Sequence, residues 1–215
     1  MVVLCIPVLN RYDLLPLCIE SAMKGTVKPD SIFIVDNGKQ YVPVDYGIPL
    51  TVYTPEENLG VAGSWNYFIT HTTGDRIIVN DDIQFCENTI ENMVKKLREG
   101  CEFVCTCRPA GMLNGFSCFT ISDSLIEKIG YFDDAISPNY AYFEDNDFAR
   151  RMRLAGIPLD ESGAEAIHGH SSTLRAFNQK QLQDHNRRFE LARNNYIKKW
   201  GGLPEHEVYA TPYGK

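Results

Sequence analysis

The sequence has no apolar run that approaches the length of a membrane-spanning helix, which excludes a transmembrane segment. The first residues, Met1–Val8, are too short for a signal peptide and lack its basic start. We therefore expect a cytoplasmic protein.

Positive charge is also scarce. The chain has 21 Lys and Arg against 28 Asp and Glu, so its net charge is -7. Proteins bind nucleic-acid backbones with clustered Lys and Arg, so we do not expect a nucleic-acid partner. A diphosphate ligand would need local help from backbone amides, a few arginines, or a divalent cation held by carboxylates.

The sequence contains no CxxC pair, no repeat and no low-complexity segment. Its seven cysteines are scattered, and only Cys105 and Cys107 lie close together. This pattern favours reduced thiols packed as small apolar side chains over a disulfide framework. With 215 residues, 44% hydrophobic and 23% charged, the chain is typical of a folded protein, and we expect a single domain over residues 1–215.

The first half alternates apolar strands with amphipathic helices, which predicts an α/β protein with a mainly parallel, Rossmann-like central sheet flanked by helices. The predicted strands are Val2–Val8, Ser31–Val35, Leu50–Tyr53 and Arg76–Val79, and the predicted helices are Arg11–Met23 and Val61–His71. Ligands of open α/β sheets bind beyond the carboxyl ends of the strands. Three of these ends carry polar residues.

The second half is less regular. Predicted helices are Glu87–Glu99, Asp145–Leu154 and Gln179–Trp200, and predicted strands are Phe103–Cys107, Phe116–Ser122 and the short Ala164–Ile167. Arg108–Gly115 is predicted to be a loop, and the Gly201–Lys215 tail is predicted to be irregular, either covering the site or fraying.

Asn80-Asp81-Asp82 directly follows a buried strand, so its carboxylates are expected to project from a rigid edge. Mg²⁺ and Mn²⁺ prefer such hard oxygen ligands, with substrate phosphates completing the shell. Asp82 is therefore the leading candidate for a metal ligand. The alternative is a turn whose Asp side chains cap the helix beginning near Glu87.

A second acidic cluster, Glu144-Asp145-Asn146-Asp147, precedes a run of arginines. Acids in a first helical turn complement the helix dipole, and Asp147 with Arg151 is an i,i+4 pair, so a purely structural role is one interpretation. The aromatic segment Tyr140–Phe143 before the cluster favours a second interpretation. Its side chains would line a sugar pocket and desolvate a neighbouring carboxylate, which suits a general base.

Two further segments are candidates for the site. His168 and His170 are one residue apart after a predicted strand, a spacing that places both rings on one side, where either is able to reach a metal or a diphosphate. Asn58, Gly60 and Gly63 open a predicted helix, where a ligand can approach backbone amides closely. The same glycines would also serve any tight strand-to-helix connection.

Five segments taken in order resemble the family 2 glycosyltransferases of GT-A fold, over about the first 175 residues. They are Cys5-Ile-Pro7-Val-Leu-Asn10-Arg11, Ile34-Val-Asp36-Asn37-Gly38, Asn58-Leu-Gly60-Val-Ala-Gly63, Asn80-Asp81-Asp82 and Tyr142-Phe-Glu144-Asp145-Asn-Asp147-Phe. The ending Asn195-Tyr-Ile-Lys-Lys-Trp200-Gly-Gly is similar to the tails of small rhamnosyltransferase-like members, including virus-encoded ones. This extends the expected location to the cytoplasm of a virus-infected host cell.

The resemblance implies a nucleotide-sugar-binding half over residues 1–107, an acceptor-side half with a helical segment over 108–200, and a tail over 201–215. It implies donor-binding roles near the nucleotide or sugar for Pro7, Asn10, Arg11, Asp36, Asn58, Gly60, Gly63, Asn80 and Asp81. The family's DxD motif falls on Asn80 through Asp82, with Asp82 as the metal ligand and an asparagine in place of the first carboxylate. The middle residue of that motif usually points elsewhere, which weakens the case for Asp81.

For catalysis, the resemblance implies that Glu144 and Asp145 form the family's ED pair, with Asp145 as the base, and that His168 or His170 reaches the metal or diphosphate. The expected reaction is inverting transfer of a sugar from a nucleoside-diphosphate donor, most commonly a UDP-sugar, to a hydroxyl of a glycan or glycoconjugate, with Mn²⁺ or Mg²⁺ as cofactor. The alternatives are a non-catalytic nucleotide-sugar-binding module and a nucleotidyltransferase, although the glycine-rich basic loop of the latter is missing after the first strand.

Overall fold

A mostly parallel β-sheet runs through the centre of the protein in the computed structural model, which describes residues 1–107, 115–168 and 177–215. In chain order its strands and those of a small second sheet are β1 (Val2–Val8), β2 (Ser31–Asp36), β3 (Leu50–Tyr53), β4 (Asp75–Val79), β5 (Ile83–Phe85), β6 (Phe103–Cys105), β7 (Cys118–Ile121), β8 (Asp160–Glu161) and β9 (Ala166–His168). The helices are α1 (Leu15–Met23), α2 (Gly60–His71), α3 (Thr89–Arg98), α4 (Asp123–Ile129), α5 (Glu144–Leu154) and α6 (Gln179–Trp200), and a 3₁₀ turn covers Pro212–Gly214.

Within the described residues the central sheet has seven strands in the order β3-β2-β1-β4-β7-β6-β8. Strands β3, β2, β1 and β4 pair in parallel, and β7 runs antiparallel to both β4 and β6. The chain leaves β1 in one direction for β2 and returns on its other side as β4. The strand order therefore reverses between β1 and β4, which is where open α/β sheets form their binding crevice.

The core has two apolar layers, one on each face of the sheet. Helices α2, α4 and α5 pack on one face through residues that include Phe68, Leu125 and Phe148. Helices α1 and α3 cover the other face through residues that include Ile19 and Met93. Strands covered on both faces are expected to be apolar throughout, as β1 is. The predicted α/β class and sheet are confirmed.

Two elements at the edge of the crevice differ from the prediction. Helix α1 begins at Leu15 rather than at Arg11, because the carbonyl of Arg11 closes a turn with the N–H groups of Leu14 and Leu15 before the helix starts. The segment after Asp82, for which no strand was predicted, forms β5 paired with β9, so the alternative of a turn capping the next helix is not observed. Helix α3 starts at Thr89, and no side chain caps it.

Short elements in the second half were not predicted. Helix α4 follows Ser122, whose hydroxyl accepts a hydrogen bond from the N–H of Leu125 at 3.1 Å, a typical N-cap. Strand β8 has two residues at the edge of the sheet. The segment 108–115, predicted to be a loop, lies mostly outside the described residues.

Helix α6 forms a third apolar cluster with the loop before α5. Ala192, Tyr196 and Trp200 of α6 pack with Ile136 and Phe143. The tail then folds back on the end of α6, because the N–H groups of Val208 and Tyr209 both donate to the carbonyl of Trp200. The tail therefore packs against the helix and is not part of the cavity described below.

No helix in the described part of the chain is both long and apolar enough to cross a lipid bilayer. All seven cysteines are free thiols, and Cys5, Cys18, Cys105 and Cys118 are buried.

Candidate functional site

A cavity of about 340 Å³ lies beyond the carboxyl ends of β1 and β4. Its size is typical of a small-molecule pocket. Residues from both halves of the chain line it: Pro7, Val8, Leu9, Asn37, Asn58, Gly60, Val61, Trp65, Asn80, Asp81, Asp82, Phe116, Ser117, Tyr140, Ala141, Tyr142, Glu144, Asp145, Phe177 and His185. The cavity thus brings Asp82 and Asp145 together.

Most of the residues singled out from the sequence line this cavity. They are Pro7, Asn58, Gly60, Asn80, Asp81, Asp82, Glu144 and Asp145. Asn10, Arg11, Asp36 and Gly63 are not among the described residues that line it. His170 lies outside the described residues, and for His168 the structure describes only the backbone.

Asp36 ends β2, and its carboxylate is held by its own loop and by the loop after β1. It accepts hydrogen bonds from the Tyr12 hydroxyl and from the N–H groups of Gln40 and Tyr41. The next residue, Asn37, lines the cavity instead. Its side chain accepts from the N–H of Leu59 at 2.9 Å and donates to Ser64 at 3.0 Å, and so ties β2 to helix α2.

Gly60 holds the loop before α5 close to the cavity. It has a φ of +69°, and its N–H donates to the Asn58 side chain at 2.8 Å. A Cβ atom at this position would collide with the backbone N and O of Tyr140, and the N–H of Val61 donates to the Tyr140 carbonyl at 2.7 Å. A glycine is therefore required here for close approach of two backbones.

We expect Gly60→Ala to destabilise the protein more than Gly156→Ala. Both glycines have a φ of about +70°, but a Cβ at Gly156 would meet nothing within 4 Å. Gly156→Ala is therefore the control variant. It has the backbone strain of about 1–3 kcal/mol that a positive φ imposes, but no collision with a neighbouring backbone. Urea unfolding followed by circular dichroism measures the free energy of unfolding of both variants. Equal losses of stability would show that the close approach of Gly60 to Tyr140 does not require a glycine.

The β4 edge of the cavity carries adjacent carboxylates. Asp81 is 7% exposed, and burial, together with the charge of Asp82, raises its pKa to about 7. The positive charge of Arg11 acts in the opposite direction. Arg11 lies in the loop after β1 and forms an ion pair with Asp13 at 2.7 Å, and its hydrogen bond to Asp13, together with the charges of Asp81 and Asp82, raises its pKa.

These residues fit a divalent cation shared with a ligand rather than a metal site built from protein alone. Among the described residues, no group of three or more His, Cys, Asp and Glu is arranged to hold a metal. The Asp82 carboxylate at the cavity wall is a hard oxygen ligand of the kind that Mg²⁺ and Mn²⁺ use together with substrate phosphates. The backbone of His168 in β9 pairs with Ile83, so this strand ends beside Asp82.

The opposite wall is the start of α5. Tyr142 and Phe143, just before the helix, have φ values of +89° and +68°. Such a conformation is costly for bulky side chains and tends to be kept where function requires it. It places Glu144 and Asp145 at the first turn, where both line the cavity.

Asp147 has a structural role in the same helix. It is fully buried, and its carboxylate accepts from Arg151 at 2.9 Å, Lys199 at 2.6 Å and the Trp200 indole at 2.9 Å. The predicted pairing of Asp147 with Arg151 is therefore confirmed. This network fixes α6 against α5.

Glu144 is held as a neutral acid near pH 7. Burial, and then the neighbouring charge of Asp145, raise the pKa of Glu144 to about 8. The native state thus keeps a proton that the unfolded chain releases above its ordinary pKa of about 4.3. Stability from this group is complete below that value, falls as the pH rises, and is lost above about 8.

Glu144→Gln is therefore expected to flatten the pH dependence of stability. Between about pH 5 and about pH 9 the wild type should lose more free energy of unfolding than the variant, by on the order of a few kcal/mol. Urea titrations at both pH values give the change in free energy of unfolding for each protein. Subtracting the change of the variant from that of the wild type removes the contribution of the titrating groups that the two proteins share. Parallel losses in the two proteins would mean that Glu144 ionises normally.

Several cavity residues were not singled out from the sequence, Trp65 and His185 among them. Trp65 of α2 lines the cavity and is 3% exposed. His185 of α6 lies 3.2 Å from the Tyr140 hydroxyl through Nδ1, and burial lowers its pKa, which favours the neutral ring. The only signal for His185 is the spacing of His185, Ala192, Tyr196 and Lys199, which places them on one helical face.

The sheet order, the flanking helices and the position of the cavity define an α/β protein of GT-A-like fold. The model of the family "Glycosyl transferase family 2" matches residues 3–199. The chain belongs to glycosyl transferase family 2. This confirms the family to which the sequence was found similar, while the rhamnosyltransferase-like subtype stays a prediction.

Solved structures support the fold. A mannosyltransferase, PcManGT from Pyrobaculum calidifontis in complex with GDP-Man and Mn²⁺, is 17% identical with a TM-score of 0.58, over 91% of this chain and 69% of that one. TarS 1–349 from S. aureus in complex with UDP-GlcNAc is 15% identical with a TM-score of 0.54, over 71% of this chain and 53% of that one. This chain therefore spans about half of that TarS structure. No curated protein matches it significantly in sequence.

Proposed function

We propose that the protein is an inverting, metal-dependent glycosyltransferase that moves a sugar from a nucleoside-diphosphate donor to a hydroxyl of a glycan or glycoconjugate. The observation that carries the proposal is that Asp82 and Asp145 line one cavity from opposite elements, β4 and α5. By this proposal the Asp82 carboxylate binds a cation and the Asp145 carboxylate accepts a proton.

The charge of the cavity supports metal dependence. Four carboxyl side chains line it, from Asp81, Asp82, Glu144 and Asp145, and no Lys or Arg is among the described lining residues. The raised pKa values of Glu144 and Asp81 reduce this charge near pH 7, but the Asp82 and Asp145 carboxylates would still repel a diphosphate brought in without a cation. Bound Mn²⁺ or Mg²⁺, held by Asp82 and by His168 or His170, would neutralise the charge that develops on the leaving diphosphate.

Asp145 is the proposed general base. It accepts the proton of the acceptor hydroxyl while that oxygen forms a bond to the anomeric carbon of the donor sugar. The bond from this carbon to the diphosphate oxygen breaks, and the electron pair leaves with the diphosphate. Attack from the face opposite the leaving group inverts the configuration at the anomeric carbon.

By this proposal the lining residues divide between the two substrates. Pro7, Asn58 and Asn80 would contact the nucleotide, and the charge of Arg11 acts on the acidic edge beside them. Tyr142 and His185 would contact the acceptor, because aromatic faces suit a sugar ring. Gly60 and Tyr140 lie between the two groups, where their backbones meet. This division corresponds to the nucleotide-sugar-binding half 1–107 and the acceptor-side half 108–200.

A UDP-sugar is the proposed donor, and a rhamnosyltransferase-like hexosyl or deoxyhexosyl transfer is the proposed reaction. The choice of a nucleoside-diphosphate sugar is supported by the two related structures, which hold GDP-Man and UDP-GlcNAc. The choice of UDP rests on the family resemblance of the motifs.

A thermal-shift panel of UDP-glucose, UDP-galactose, UDP-GlcNAc and GDP-mannose, with and without Mn²⁺, tests the proposal. A donor that binds only the native state should raise the melting temperature, and the rise should require Mn²⁺. The best binder is then incubated with Mn²⁺ and release of nucleoside diphosphate is measured. Binding without release would indicate a non-catalytic module, and the absence of any shift would contradict the proposal.

A further inference from the structure

Two polar atoms in the cavity wall are buried without a hydrogen-bond partner among the described residues. They are the indole Nε1 of Trp65 and the carboxyl Oε2 of Glu144. Both side chains are more than nine-tenths buried, at 3% and 4% exposure, and both line the cavity. An unsatisfied buried polar group destabilises the protein, so it calls for an explanation such as a ligand.

The two atoms belong to one continuous wall. The Trp65 ring packs edge-on against Phe132 with 4.9 Å between the ring centroids, and Phe132 stacks on Phe148 with 4.1 Å between the centroids. Phe148 lies four residues after Glu144 in α5, on the same face of the helix. Trp65 and Glu144 therefore approach the cavity from the adjoining helices α2 and α5.

Their chemistry is complementary to a hydroxyl group. The indole N–H only donates a hydrogen bond, whereas the protonated carboxyl group of Glu144 both donates and accepts. A sugar hydroxyl accepts through its oxygen and donates its single proton, so it is a partner for the N–H and for either form of the carboxyl oxygen. A phosphate group fits less well, because its ionised oxygens cannot donate a hydrogen bond.

We propose that Trp65 and Glu144 together bind a ring hydroxyl of the transferred sugar and so determine which donor sugar is accepted. The proposal rests on the proposed glycosyltransferase function and adds the residues that read the sugar. The position of the pair supports the donor ring rather than the acceptor. Glu144 directly precedes the proposed base, and the chain of aromatic contacts from Phe148 through Phe132 connects its helix to Trp65, so both residues flank the proposed place of the reacting carbon.

Isothermal titration in Mn²⁺ tests this with UDP alone, with the nucleotide sugar of the panel that the wild type transfers, and with analogues of it that each lack one ring hydroxyl. Trp65→Phe keeps the aromatic packing but removes the N–H. It should weaken binding of the nucleotide sugar about tenfold, leave UDP binding unchanged, and abolish the wild-type discrimination against one deoxy analogue.

Glu144 has its own pair of variants. Glu144→Gln keeps an acceptor oxygen of the same shape and should retain the discrimination, whereas Glu144→Leu should lose it for the same hydroxyl as Trp65→Phe. Tyr67→Phe is the control, since it removes a polar group from another face of α2, where Tyr67 stacks on Tyr53 and His71. It should behave as the wild type does.

The outcomes separate this inference from the proposed function. If the wild type transfers sugar and Trp65→Phe retains full discrimination, the inference alone is wrong. An equal loss of UDP binding, or an unchanged donor affinity with a raised KM for the acceptor, would also overturn it. If the wild type binds no nucleotide sugar, the proposed function and this inference fail together.

Discussion

Asp145→Asn should reduce sugar transfer by about 10²- to 10⁴-fold, the usual contribution of a positioned general base. The substitution keeps the shape of the side chain, whose carboxylate accepts the N–H of Asn146 at 2.7 Å, but the amide cannot take up the acceptor's proton. Donor binding should be retained, because the proposed metal and nucleotide contacts come from the other wall. Initial rates and donor titration in the presence of Mn²⁺ measure the two effects separately.

Asp134→Asn is the matched control for this variant. It makes the same chemical change on an exposed residue that is not part of the cavity. It should transfer sugar at the wild-type rate. Unchanged transfer by Asp145→Asn would refute the assignment of the base, and a parallel loss of donor binding would show that Asp145 contributes to donor binding.

Asp147→Ala should lower the free energy of unfolding by about 3–5 kcal/mol, as expected when one partner of a buried ion-pair network is removed. The truncation leaves Arg151 and the Trp200 indole without their carboxylate, while Lys199 keeps Asp133 at 2.6 Å. Since α6 carries His185 into the cavity, we also expect weaker acceptor binding. Urea unfolding at neutral pH measures the stability.

Glu190→Ala on the same helix serves as the comparison. Glu190 pairs with Arg193 at 3.2 Å on the surface and is 57% exposed, and such pairs contribute about 0–1 kcal/mol. If both variants lose the same stability, the Asp147 network does not hold α6 in place.

The strands beside the site could be predicted because a parallel sheet buried on both faces has an apolar sequence. The observed bounds of β1, Val2–Val8, are those predicted, and β4 differs only by starting at Asp75. Strand β8 could not be predicted. Asp160 and Glu161 show no apolar pattern and become a strand only by pairing with β6.

The acidic residues of the site were also within reach of the sequence, because strand ends and helix starts constrain where Asp82 and Asp145 lie. The polar side chains of Trp65 and His185 in the same cavity could not be predicted. Trp65 resembles any core aromatic on an amphipathic helix, and the burial of His185 depends on Tyr140, 45 residues earlier. The hydrogen bonds that the Asp36 carboxylate accepts from the Tyr12 hydroxyl and the N–H of Tyr41 were equally out of reach. The contact of Asp36 with the nucleotide stays a prediction.

The central claim is that a cation at Asp82 and the base Asp145 face each other across one donor-binding cavity. A crystal structure with UDP and Mn²⁺, recorded with anomalous scattering from manganese, tests it most directly. We predict one manganese peak about 2.1 Å from an Asp82 carboxylate oxygen, bridged to the diphosphate, with Asp145 on the facing wall. Manganese bound away from Asp82, or UDP bound outside the cavity, would contradict the claim.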